Sequence, residues 1–134
     1  MKILIVEDED LAVKKLQKTL AAVDQDANVV GIADSIKGTV EWLQQNPAPD
    51  LILMDIAMPV MDGLQATQAI RLHDDLADIP IVAVTAYGDF YGERARNAGC
   101  NDVIQKPLDF GSLEPIVEGY ISRGRSHAGA EARV

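Results

Sequence analysis

Apolar and polar positions alternate between two rhythms along this 134-residue chain. Short, nearly unbroken apolar runs occur at Lys2–Val6 (KILIV), Val29–Ala33, Leu51–Asp55 (LILMD), Ile81–Thr85 (IVAVT) and Asp102–Gln105. The continuous run at 51–55, bounded by turn residues, predicts a strand buried on both faces, as in the centre of parallel sheets, Lys2–Val6 a short buried strand, and the others strands. Between them apolar residues recur at helical spacing. Ala12, Val13, Leu16, Leu20 and Val23 predict a helix over 11–23, its amino end favoured by the carboxylates upstream. Ser35 is placed to cap a second helix with Ile36, Val40 and Leu43 on one face, stopped at Asn46-Pro47-Ala48-Pro49. A third, over 63–72, carries Leu64, Thr67, Ile70 and Arg71. A fourth, over 88–98, ends where Gly99 supplies a left-handed residue. The last places Leu113, Ile116, Val117, Tyr120 and Ile121 on one face. Because Pro115 lacks an amide, this helix is expected to start late, with Ser112 as cap and Pro115 in the first turn. After Ser122 the apolar period is lost, so residues 1–122 are expected to form one domain and 123–134 a disordered tail or truncated linker.

Five strand–helix pairs in alternation imply an α/β fold, a parallel sheet wrapped on both faces through right-handed crossovers. Periodicity leaves the strand order open. It does place Glu7 and Asp8, Asp55, Thr85 and Lys106 at the carboxyl ends of four different strands. Ligand crevices in open sheets of this kind lie just outside those ends.

Composition narrows the function classes. Hydrophobic residues at 48% and charged residues at 25% are those of a globular domain. A formal net charge of −9 argues against direct binding of nucleic acid or anionic membrane, both of which need a basic field. No apolar stretch approaches membrane-spanning length and no leader pattern is seen, so a cytoplasmic location is expected. The single cysteine, Cys100, forms no internal disulfide, fits a reducing compartment and is expected to be a small buried hydrophobe. Trp42 is expected to pack at a helix edge, Met58 and Met61 to pack, and His73 and His127 to lie at the surface.

The segments VEDE after the first strand, LILMDIAMPVMDG around the third, VTA after the fourth and KP after the fifth together resemble the receiver domain of two-component response regulators. The resemblance covers residues 1–122. It implies a flavodoxin-like doubly wound (βα)5 fold with strand order 2-1-3-4-5. It also implies that Asp55 accepts a phosphoryl group from a histidine kinase or histidine phosphotransfer protein, with Thr85 and Lys106 assisting. Such a domain promotes its own phosphorylation and dephosphorylation and is not a turnover enzyme. Its signal would leave through the face of the fourth helix, fifth strand and fifth helix, towards an output domain or partner protein.

Charge physics supports the same site. Carboxylates crowded at one sheet edge must raise a pKa or find a cation, and Mg2+, or Mn2+ in its place, takes a few oxygen ligands from protein. The expected ligands are Asp8, Asp55 and the backbone carbonyl of Ala57, with Glu7 through water. A haloacid-dehalogenase-type phosphotransferase would need an acid at position 57, where Ala57 stands, and a flavin carrier would not place EDED where phosphate must sit. A phosphorylation-independent interaction module of the same fold is the rival reading. Where the family commonly has an aromatic residue this chain has Val103, so Tyr87 is expected to serve as the moving ring.

Overall fold

The computed structural model describes residues 1–56, 63–73, 76–86, 88–106 and 111–120, with 88–91 given by their backbone. Five strands are present: β1 (Lys2–Val6), β2 (Asn28–Ala33), β3 (Leu51–Asp55), β4 (Ile81–Thr85) and β5 (Asp102–Gln105). They alternate with α1 (Asp10–Val23), α2 (Ile36–Gln45), α3 (Gly63–Arg71) and α4 (Gly88–Ala98), and residues 111–120 form a fifth helix, α5. All pairings are parallel and the sheet order is β2-β1-β3-β4-β5, as the receiver resemblance implies. Tyr87, Met58, Met61, His127 and the expected tail at 123–134 lie outside the described residues.

The order explains the burial. β3 and β4 are buried at all five positions each, and β1 at four of five, because each has a neighbour on both edges and helices on both faces. Side chains alternate across the pleat. Leu4, Val6, Ile52, Met54, Ile81 and Ala83 face α2, α3 and α4 in one apolar cluster. Ile3, Ile5, Leu51, Leu53 and Val82 meet α1 and α5 in the other.

Local chemistry sets the helix ends. Ser35 caps α2 as expected, its Oγ accepting from the Gly38 amide at 2.9 Å. The buried stripe of α2 differs from the expected one: Thr39 is fully buried beside Leu43, whereas Val40 is half-buried. The Thr39 hydroxyl donates to the Ser35 carbonyl at 2.7 Å, which satisfies its polar atom and lets its methyl count as core. Ser112 is not the cap of α5. Residues 111 and 112 are already helical, so the chain tolerates Pro115 further along the helix than expected. Gly99 takes the left-handed conformation, φ 118°, after α4. Beside it, the Arg71 guanidinium donates to the carbonyls of Gly99, Ala77 and Ile79 and to Asn101 Oδ1, tying the end of α3 to the starts of β4 and β5. Val103 is half-buried and packs on the α3–α4 cluster.

Trp42 lies across β2. A Cβ built at Gly31 would stand 2.4 Å from its Nε1, so the indole occupies the place of a side chain. Gly119, on the exposed side of α5, has nothing within 4 Å of a Cβ. The two glycines therefore respond to alanine with opposite signs. Gly31→Ala is expected to lower stability by about 1–3 kcal/mol through overpacking against the ring. Gly119→Ala should raise it by roughly 0.5–1 kcal/mol by removing glycine's unfolded-state freedom from a helix. Urea unfolding followed by circular dichroism reads both, and a loss in Gly119→Ala would contradict the open surface.

Candidate functional site

The carboxyl ends of β1, β3, β4 and β5 lie along one edge of the sheet, and backbone hydrogen bonding continues one residue beyond β1, β3 and β5. The Glu7 amide donates to the Ala33 carbonyl (2.9 Å), Ile56 to Val84 (3.2 Å) and Lys106 to Thr85 (2.7 Å). Glu7, Asp55 and Lys106 are thereby seated by main chain, before any side-chain contact.

Their side chains meet. Lys106 Nζ donates to Asp55 Oδ2 at 3.0 Å and lies 3.7 Å from Glu7 Oε1. Asp55 is 7% exposed and Glu7 6%, so two carboxylates share a largely dry place with one ammonium. Burial, foremost, together with a hydrogen bond and repulsion from Asp55 and repulsion from Asp8, holds the Glu7 carboxyl up at about 8 against the pull of Lys106. Burial works against the Lys106 ammonium, yet hydrogen bonding to Asp55 and the charges of Asp55, Glu7 and Glu9 outweigh it and raise its pKa. Thr85, buried at the end of β4, is one residue beyond Val84, the register partner of Asp55. Asp8 is half-buried beside Glu7. Ala57, whose carbonyl was the expected backbone ligand, lies outside the described residues.

The donor atoms suit a divalent cation. Glu7 Oε2 is buried with no hydrogen-bond partner among the described residues, and when both carboxylates are ionised their charge exceeds what Lys106 supplies. Oxygen-only donors carrying excess charge fit a hard ion such as Mg2+. Among the described residues no three acidic, histidine or cysteine side chains are gathered into a metal cluster. The fit therefore rests on Glu7 and Asp55, with Asp8 near enough to act on Glu7 electrostatically.

Two features escaped the sequence. A cleft of about 490 Å3 opens beside Asp55 and Lys106, walled by Ile5, Leu53, Val84 and, from α1, Leu11, Lys15 and Leu16. Leu11 is 73% exposed. Its position off the buried face of α1 was the available signal. The second is Gly63, the first residue of α3, which is buried against the backbone of Asp55 and Ile56.

Residues 3–118 match the family model of the response regulator receiver domain. The chain belongs to that family. It is 32% identical to the polar-differentiation response regulator DivK of Brucella anthropi, over 89% of this receiver and 94% of DivK. It is also 38% identical to the hybrid signal transduction histidine kinase G of Dictyostelium discoideum, over 90% of this chain but 4% of the kinase's length. Among solved structures, the receiver domain of sensor histidine kinase PA1611 from Pseudomonas aeruginosa PAO1 superposes with a TM-score of 0.76 at 31% identity. The match covers 90% of this chain and 97% of that one, and a magnesium ion is coordinated in that protein's active-site cleft. The receiver here is thus a signalling module of two-component systems, and no helix among its described residues is long and apolar enough to cross a membrane.

The Glu7 carboxyl makes stability depend on pH in a definite direction. Its unfolded value is 4.5 and its folded value about 8, so between these the native state holds the extra proton. The stabilisation is present below pH 4.5 and is lost as pH rises towards 8. With chelator present, urea stability should fall across that window with a slope of up to about 1.4 kcal/mol per pH unit. Glu7→Gln should flatten the slope; a slope unchanged in this variant would show that another group carries it.

Proposed function

We propose that this receiver accepts a phosphoryl group on Asp55 from a phosphohistidine of a histidine kinase or phosphotransfer protein, and that the modification switches its surface. The observation that supports this best is the 3.0 Å contact from Lys106 to a nearly buried Asp55 at the sheet edge. The Asp55 carboxylate attacks phosphorus; the new O–P bond forms as the N–P bond to the donor imidazole breaks, and the imidazole leaves with the electron pair. Phosphoryl transfer depends on alignment and charge neutralisation more than on covalent help. Lys106 neutralises one phosphoryl oxygen and the Thr85 hydroxyl donates to another. Mg2+, or Mn2+, held by Asp8, Asp55 and the Ala57 carbonyl, with Glu7 alongside, would supply the remaining positive charge. Water entering along the same line removes the phosphate again, so the domain resets without being a turnover enzyme.

Residues 1–122 serve as the whole module in this proposal. The signal leaves through the α4–β5–α5 face towards a partner or output domain, with no direct contact to nucleic acid or membrane and in the cytoplasm. The rival reading, an interaction module indifferent to phosphate, shares the fold and differs in chemistry.

Incubation with acetyl phosphate and Mg2+, borohydride trapping and mass spectrometry separate the two. One label at Asp55 is expected, absent from Asp55→Asn and from samples in excess chelator. An unlabelled but folded wild type would favour the rival reading, and labelling that survives chelation would exclude the metal.

The metal also predicts a stability change. An ion bound to the native state alone adds about 2.7 kcal/mol at 100 times its Kd. Asp8→Asn should lose most of that gain, so equal Mg2+-induced melting shifts in both proteins would remove Asp8 from the ligand set.

A further inference from the structure

A Cβ built at Gly63 would lie 2.5 Å from Ile56 Cα, 2.6 Å from the Asp55 carbonyl oxygen and 2.8 Å from Ile56 Cγ2. We infer that Gly63 is a positioning residue for the phosphoacceptor: its bare Cα is the seat against which the backbone of Asp55 and Ile56 is set. This rests on the reading of Asp55 as the phosphoacceptor.

Little around Gly63 can yield. Ordinary contact begins at 3.4 Å, so a methyl group at Gly63 demands an opening of about 0.9 Å, and two of the three obstructing atoms are main chain. On the strand side, Met54 and Asp55 are in register with Ala83 and Val84, and the Ile56 amide donates to the Val84 carbonyl. On the helix side, Ala66, Thr67 and Ile70 are fully buried, and Thr67 Oγ1 donates to the Gly63 carbonyl at 2.8 Å. With α3 anchored in the core and β3 locked between its neighbours, the opening is shared, and part of it falls on the peptide that carries Asp55.

That displacement matters because the carboxylate is held to Lys106 at 3.0 Å and phosphoryl transfer relies on alignment. Gly31 provides the contrast. A Cβ there meets an equally close obstacle, but all three atoms it meets belong to the Trp42 side chain of α2 and none to the backbone of β3. A methyl group at either glycine strains the fold, and only the one at Gly63 moves the acceptor.

The test compares wild type, Gly63→Ala and Gly31→Ala at a temperature where circular dichroism shows each fully folded. The acetyl phosphate rate at Asp55 in saturating Mg2+ is read alongside the amide shift and exchange rate of Ile56 in chelator. Gly63→Ala is expected to slow phosphorylation at least tenfold and to perturb the Ile56 amide without metal; Gly31→Ala should do neither. If Gly63→Ala does not fold alone, it is placed in a Gly92→Ala, Gly119→Ala background, two helical sites where a Cβ meets nothing within 4 Å. A folded Gly63→Ala protein phosphorylated at the wild-type rate, or slowed no more than Gly31→Ala, overturns the inference. Failure of the wild type itself to be labelled at Asp55 would instead remove the phosphoacceptor reading on which it rests.

Discussion

Two carboxylates and one ammonium share the carboxyl edge of the sheet, and the remaining architecture serves to keep them there. Glu7 and Asp55 are both nearly buried, and Lys106 touches both. Taking such charges out of water costs several kcal/mol per ion unless each is paired. One cation between two carboxylates leaves a deficit, which shows as the Glu7 carboxyl held up at about 8 and as the buried Oε2 without a partner among the described residues. The site is poised to take up positive charge, as a proton or as a metal ion. Apolar burial in β1, β3 and β4 supplies the stability against which this deficit is held.

Most of the fold was legible because it is written in local rhythm. Four of the five strands begin and end where the apolar runs do, and β2 starts one residue early at Asn28. Apart from the early start of α5, what escaped lies in side-chain contacts that apolar periodicity does not encode. Thr39 reads as polar until its hydroxyl is seen bonded to Ser35, and Gly63 reads as a turn glycine until the end of β3 lies against it. The candidate site was legible by residue type, since a carboxylate or lysine closing an apolar run stands out. The pairing of Lys106 with Glu7 as well as Asp55 was not, because it depends on how far each side chain reaches across the edge.

The centre and the edge of the sheet differ mechanically in a way that bears on how a switch would work. β3 lies between β1 and β4, is fully buried, and presents Asp55 from the centre of the sheet. β5 is an edge strand of four residues with one neighbour, three of the four at least partly exposed. Local opening costs least where buried apolar contacts are fewest. Lys106 comes directly after this strand, and so the cation of the site follows an element paired on one side only.

That asymmetry gives the proposed phosphoryl group something to act on. A ligand shifts a conformational equilibrium only by as much as it contacts the two states differently. A phosphorylated Asp55 would compete with Glu7 for the Lys106 ammonium, which already faces both carboxylates within 4 Å. Drawing Lys106 inwards pulls on β5, and β5 packs against α4 and carries Asp102, whose carboxylate accepts the 2.6 Å hydrogen bond from Tyr120 of α5. Under the proposed function such a pull would reach both helices flanking β5 without a swinging ring at Val103, whose β-branched side chain is stiff and half-buried in the α3–α4 cluster. Under the proposed function, the strand itself, rather than an aromatic side chain upon it, would carry charge rearrangement at the sheet edge to the α4–β5–α5 surface.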